Sequence, residues 1–292
     1  MTAPRTGETG GGESAAATAW RGIRRHRPAT ISLGVVAILG AACFLAPLIA
    51  PYPMDAIDLA SLRQPPSAAH LLGTDDLGRD VLSRLLWGGR ISIVIGLLAA
   101  LLGTALGALV GSVAAFFGGR TDNVLMRVTD VAYAIPTLPL LIVLSAYAGA
   151  TVGPMVIIIS LLSWMATARV VRGEVLSVRE RPFVEAARCL GARSSRLIAR
   201  HVIPNAVGPL IVGATLAVGN AIMVESSLSF LGLGVQPPTP TWGNMLMDSQ
   251  ATMATKPWLT IFPGTAILLV VLAFNFIGDA LADALDPVLR ER

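Results

Sequence analysis

Charge is scarce in this chain. Asp, Glu, Lys and Arg make up 14% of its 292 residues, against roughly 25% in a soluble domain. Lysine occurs once, as Lys256, outside any Gly-x-x-x-x-Gly-Lys-Ser/Thr run, which excludes ATP binding by a P-loop. The three histidines, His26, His70 and His201, stand in separate segments, and Cys43 lies far from Cys189. No His-Glu-x-x-His and no Cys/His cluster occurs at metal-ligand spacing. A metal centre, a structural disulfide and a Ser/His hydrolase site are therefore not expected, and the chain is not read as an enzyme or as the holder of a cofactor.

What is present is apolar. Hydrophobic residues are 54% of the chain and the mean hydropathy is +0.69. Uncharged runs reach the length of about 20 residues that crosses a bilayer. Residues 1–19, rich in Gly, Ala, Thr and Ser, predict a disordered stretch, which Arg21, Arg24, Arg25 and Arg27 extend into a basic tail over 1–27. The uncharged run after it exceeds the roughly 7–15 residues of a signal peptide's apolar region. It predicts a first span at 29–50, closed by Pro51 and Pro53. Further spans are predicted at 91–117, 124–147, 154–171, 206–232 and 259–281, with Gly149, Gly153 and Pro154 dividing the third from the fourth. Six spans make an all-α integral membrane protein. It divides into the tail, a first span with an external segment (28–90), a core (91–285) and a short C-terminal tail (286–292). Ala99, Gly103, Gly107 and Gly111 recur every four residues, a stripe read as helix packing.

The basic residues orient the spans. With both termini in the cytoplasm, 17 of the 22 Lys and Arg residues fall on the inner side, as the positive-inside rule requires. The net charge of +4 thus reflects topology and does not imply nucleic-acid binding. In the external segment, residues 72–86 predict an amphipathic helix lying at the interface. Thr74 is its expected N-cap, Asp75 and Asp76 lie in its first turn, and Val81, Leu82, Leu85 and Leu86 form its apolar face.

The most basic stretch, 180–205, reads ERPFVEAARCLGARSSRLIARHVIPN. Pro182 suits a helix start, Glu185 the positive end of that helix's dipole, and Gly191 its end. Ser194 or Ser195 can cap a second short helix, which Pro204 stops. The result is a rigid basic hairpin on the cytoplasmic side.

The Glu185-Ala186-Ala187, Gly191 and Pro204 spacing resembles the EAA loop of membrane subunits of ATP-binding-cassette importers, and His201-Val-Ile-Pro-Asn205 resembles its peptide/nickel branch. LGTDDLGRDVLSRLLWGGRIS from Leu72, ESSLSFLGLGVQPP from Glu225 with Thr241-Trp-Gly243, and Asn275-Phe-Ile-Gly-Asp279 through Pro287 resemble C-type subunits of dipeptide and oligopeptide permeases. The resemblance covers residues from about 28 to the C-terminus. It implies a type I importer permease fold in a bacterial inner membrane. The implied partners are a homologous B-type permease subunit in a heterodimer, an external substrate-binding protein, and two ATPase subunits that bind ATP and magnesium. By the same resemblance, Glu185, Ala186, Ala187, Arg188, Gly191, Ala192, Arg196, His201 and Pro204 couple the chain to the ATPases. The implied substrate is a dipeptide or oligopeptide, with nickel chelates, opines or oligosaccharides as alternatives. A secondary transporter driven by an ion gradient and a non-transporting scaffold or channel subunit are the rival classes.

Acidic residues inside predicted spans need partners or an aqueous cavity. Asp130 is expected to pair with Arg127 on its own helix. Glu225, with Asn220, Ser226 and Ser229 nearby, is expected either to line or gate the transport pathway or to anchor neighbouring helices by hydrogen bonds.

Overall fold

The computed structural model describes residues 20–24, 26–149, 151–179 and 203–285, with single positions 182, 184 and 189 between the last two segments. Among them are α1 (Arg27–Phe44), α2 (Ala46–Ile49), α3 (Val81–Phe117), α4 (Gly119–Ala134), α5 (Thr137–Ala148), α6 (Val152–Arg179), α7 (Ile203–Phe230), α8 (Trp242–Ser249) and α9 (Trp258–Leu285). Among the described residues five helices are long and apolar enough to cross a membrane, and six if the bent pair α4–α5 counts as one span.

Helix α3 is the axis of the bundle. It packs most extensively on α6 and also on α7, α1 and α4, while α9 packs on α7 and α1. Apolar side chains gain nothing by leaving lipid for one another, so association rests on close fit. The small-residue stripe supplies that fit. A Cβ added at Gly107 would stand 2.5 Å from the Trp164 carbonyl oxygen and 2.6 Å from Thr167 Cβ, and at Gly103 and Gly111 it would collide with Ser163 Oγ and the Ala168 carbonyl. Ser160 Oγ donates to the Ala99 carbonyl at 3.3 Å, closing the row.

Three expectations are corrected. Residues 74–80 are not helical: Thr74 and Asp80 pair across a tight loop, and Gly73 and Gly78 have φ of 82° and 75°, which helical backbone does not allow. The Asp75 carboxylate accepts the Leu77 and Arg79 N–H groups, both at 2.9 Å, holding that turn. The buried Asp80 is the true N-cap, accepting from Ser83 N at 2.8 Å. From there α3 runs unbroken for 37 residues, about 55 Å at 1.5 Å per residue. Val81, Leu82, Leu85 and Leu86 thus begin a span instead of forming an interfacial helix.

The predicted span 124–147 is two helices whose axes turn by 87°. Pro136 lacks an N–H, and a residue preceding proline disfavours helical angles; Ile135 is extended, at φ −78° and ψ 127°. The first span also breaks, at Leu45, where Pro47 opens the four-residue α2.

The segments predicted to be external meet at one end of the bundle, where α3 and α9 begin, α7 ends and α8 sits. At the other end a Cβ on Gly22 would collide with Ala284, so the short stretch around Gly22 lies against the end of α9. Val171, Val175, Val178 and Val184 pack there on Ala115 and Phe116. Gly107→Ala is expected to destabilise the folded chain by about 1–3 kcal/mol, the usual cost of overpacking. Thermal unfolding in detergent measures this, with Gly34→Ala as the reference, since nothing lies within 4 Å of a Cβ at Gly34.

Candidate functional site

Glu225 is fully buried in α7. Its Oε2 accepts from Ser92 Oγ of α3 at 3.0 Å and from Ser226 Oγ at 3.4 Å. Its Oε1 accepts from Ser229 Oγ at 2.7 Å. Ser92 Oγ in turn accepts from the Trp242 N–H at 3.2 Å. One carboxylate thereby joins α3 and α7 to the first turn of α8.

The sequence around it is shaped for this contact. Thr241 and Asn244 cap α8 reciprocally, a device that satisfies two otherwise orphaned donors. Asn244 Nδ2 also donates to the Val235 and Thr239 carbonyls at 3.1 and 2.9 Å. Trp242, 1% exposed, donates from Nε1 to the Leu85 carbonyl at 3.0 Å. Gly88, Gly89 and Gly243 admit these close approaches; a Cβ on Gly243 would lie 2.6 Å from Ser229 Cβ and 2.7 Å from Ser226 Cα.

The structure therefore separates Asn220 from Glu225, Ser226 and Ser229. The last three are packed between helices, the anchoring arrangement that is one of the two expected, and none of them borders the cavity beside Asn220. Asn220 is exposed and borders a cavity of about 410 Å³, together with Tyr133, Thr137, Ser163, Thr167 and apolar groups of α6 and α7. Its lining carries no charged side chain.

A second polar centre, which the sequence did not signal, lies at the α8 end of the bundle. Arg79 Nε donates to Asp75 Oδ2 at 2.7 Å, and Arg84 Nε lies 3.4 Å from the same oxygen. Both guanidinium groups reach Asp248 Oδ2, at 3.5 and 3.4 Å. Asp248 stands 164 residues beyond Arg84, a separation no local pattern reveals. Burial pushes the Asp248 carboxyl above the ordinary aspartate range, and Arg84 and Arg79 pull it partly back. The cluster clamps the loop before α3 onto α8.

Asp130 pairs with Arg169 of α6, at 2.8 Å. The expected partner Arg127, on the same helix, is thus corrected: the guanidinium that reaches the carboxylate comes from a facing helix. Of the expected coupling residues, Glu185, Ala186, Ala187, Arg188, Gly191, Ala192, Arg196 and His201 lie outside the described residues. Pro204 falls in the first turn of α7, where its missing N–H costs nothing. Among the described residues no group of His, Cys, Asp and Glu side chains could hold a metal ion.

A bundle of helices long and apolar enough to span a bilayer, with an uncharged cavity beside α6 and α7, is the architecture of an integral membrane protein. The family of binding-protein-dependent transport system inner membrane components matches residues 103–291, and the N-terminal TM domain of oligopeptide transport permease C matches residues 14–66. The chain belongs to this family and is an integral inner-membrane permease of an ATP-binding-cassette importer. It is similar to the oligopeptide transport system permease protein OppC of Bacillus subtilis, 39% identical over 92% of this chain and 88% of that protein. The dipeptide transport system permease protein DppC of the same organism is 39% identical over 93% and 85%. The glutathione transport system permease protein GsiD of Pectobacterium atrosepticum is 40% identical over 93% and 90%. The fold matches that of a chain in the inward-facing MetNI methionine ABC transporter, with a TM-score of 0.58 and 16% identity over 69% of this chain and 96% of that one.

Glu225→Ala is expected to leave the buried O–H donors of Ser92 and Ser229 without their carboxylate acceptor, at about 1–3 kcal/mol for each group. Glu225→Gln keeps an acceptor and is expected to lose less; unfolding in detergent compares the two. Asp248 gives a pH test. Its raised pKa means that the folded state holds the proton more tightly than the unfolded state, so stability rises as pH falls from neutrality through its titration range. Asp248→Asn is expected to remove that contribution, flattening the pH profile of the unfolding temperature.

Proposed function

We propose that the chain is the C-type half of a peptide importer and forms the transport pathway with a homologous B-type permease subunit. The observation that carries the peptide assignment is that three relatives, each similar over more than nine-tenths of this chain, are named for oligopeptide, dipeptide and glutathione transport. The uncharged cavity beside Asn220, Thr137 and Tyr133 is consistent with it, because the common feature of varied peptides is their neutral backbone. Nickel chelates, opines and oligosaccharides are the alternative cargoes.

Two ATPase subunits, which bind the ATP and magnesium, dock on the cytoplasmic hairpin 180–205 and its counterpart on the B-type subunit. Both termini of the chain face the same cytoplasm, as the basic residues imply. An external binding protein delivers substrate to the α8 end. Closure of the ATPases displaces the hairpin and rocks the spans between inward-open and outward-open states. In the hairpin, Glu185 orients the docked helix, with Ala186, Ala187 and Ala192 keeping the surface thin and Gly191 setting the bend. Arg188 and Arg196 pair with acidic groove residues, while His201 and Pro204 fix the exit into α7.

The reading is tested by purifying the tagged chain from its native membrane and identifying what accompanies it. Two P-loop ATPases and a second six-span protein are expected. Glu185→Lys is expected to leave ATP hydrolysis running while uptake of a labelled tripeptide is lost. Recovery of the chain alone, moving solute in liposomes without ATP, would establish an ion-driven transporter instead.

A further inference from the structure

Helix α4 is weakly built into the bundle. Thr129 is the one buried residue among its sixteen, and Val124, Val128 and Val131 are exposed. Each end departs from helical backbone. Gly118 precedes it and Gly119 is its first residue, with φ of 63° and 55°, a conformation that side-chain-bearing residues rarely adopt. At its other end lies the 87° bend at Ile135 and Pro136. Packing therefore does little to fix α4 against its neighbours.

Charge pairs do so instead. Arg172 of α6 donates from Nε and Nη2 to the two oxygens of Asp122, each at 2.6 Å. This two-pronged geometry fixes orientation as well as distance. Two turns along α4, Arg169 Nη2 donates to Asp130 at 2.8 Å, and its guanidinium lies 4.6 Å from the centroid of the Tyr133 ring, a favourable cation–π distance. The α6 side of these contacts is firm, because Val171, Val175 and Val178 are packed on Ala115 and Phe116. Tyr133, at the far end of α4, and Thr137, just past the bend, both border the 410 Å³ cavity.

We propose that α4 is a lever, and that Arg172 and Arg169 are the positioning residues that carry displacement of the α6 end to the Tyr133–Thr137 wall of the cavity. This rests on the ATPase-coupling reading, because α6 leads in sequence directly into 180–205. A helix bounded by two backbone breaks turns as one body, and paired guanidinium groups make it turn with α6. The far wall, on α7, carries Asn220 and has no such tie to α4 among the contacts described. The cavity mouth then widens or narrows as the α6 end moves.

The test uses the whole complex purified from its native membrane, with Cys43→Ala and Cys189→Ser as background and Thr137→Cys as reporter. The rate at which a membrane-impermeant maleimide labels the reporter is compared with and without ATP plus vanadate. ATP hydrolysis is measured alongside. With the native pairs, trapping is expected to change the labelling rate by about tenfold, within the range of ordinary coupling free energies. Arg172→Asp is expected to abolish that change while hydrolysis persists, and Asp122→Arg with Arg172→Asp to restore it by reversing the pair. Asp130→Asn, at an exposed site, is expected to reduce the change without loss of assembly, which keeps the test open should Arg172→Asp fail to assemble. A full nucleotide response in Arg172→Asp, or in Asp130→Asn where Arg172→Asp does not assemble, overturns the lever and leaves the ATPase reading standing. A complex with native pairs that neither hydrolyses ATP nor responds to it overturns that reading, and the lever with it.

Discussion

Everything in this bundle depends on how closely other backbones can approach α3. In lipid, an apolar side chain gains nothing by moving from acyl chains to another helix, so van der Waals fit must hold the spans together. The Ala99–Gly103–Gly107–Gly111 row brings α3 against the backbone of α6. At the other end of the same helix, Gly88 and Gly89 let Thr241 and Trp242 settle onto it. Residues without side chains thus place both α6 and the short helix that closes the α8 end.

Polar groups follow from the same constraint. A carboxylate among spans is tolerated only when its surroundings replace water, and Glu225 is surrounded by the hydroxyls of Ser92, Ser226 and Ser229. Its burial makes it a joint between elements. The charged clusters lie at the two ends: Asp75, Arg79, Arg84 and Asp248 where α8 caps the bundle, and Asp122, Asp130, Arg169 and Arg172 between α4 and the end of α6. Close packing holds the middle of the bundle, while charge pairs tie the elements at its two ends.

The errors of local reading share one cause. Thr74 followed by two aspartates looks like a helix start, yet Gly73 and Gly78 take positive φ and the Asp75 side chain folds back on its own loop, leaving Asp80 to begin α3. Arg127 and Asp130 have the spacing of a helical ion pair, yet Arg169 offers its guanidinium from a facing helix. The run 124–147 is long enough to cross as one span, but Pro136 turns it. In each case a signal within a few residues competed with a contact from elsewhere in the chain, or with a backbone break inside an apolar run.

The sequence by itself determined the membrane class, the positions of most spans, the packing role of the glycine stripe and the family. These depend on composition and on short periodic patterns, which lipid reads directly through transfer energies and steric fit. Only the tertiary structure decided that Glu225 is a buried anchor while Asn220 borders the cavity. It alone joined Arg84 to Asp248 and gave Asp122 and Asp130 their partners on α6. The reason is physical: a side chain's electrostatic role depends on what stands within a few ångströms of it, and in a multi-pass bundle that neighbour comes from a distant part of the chain.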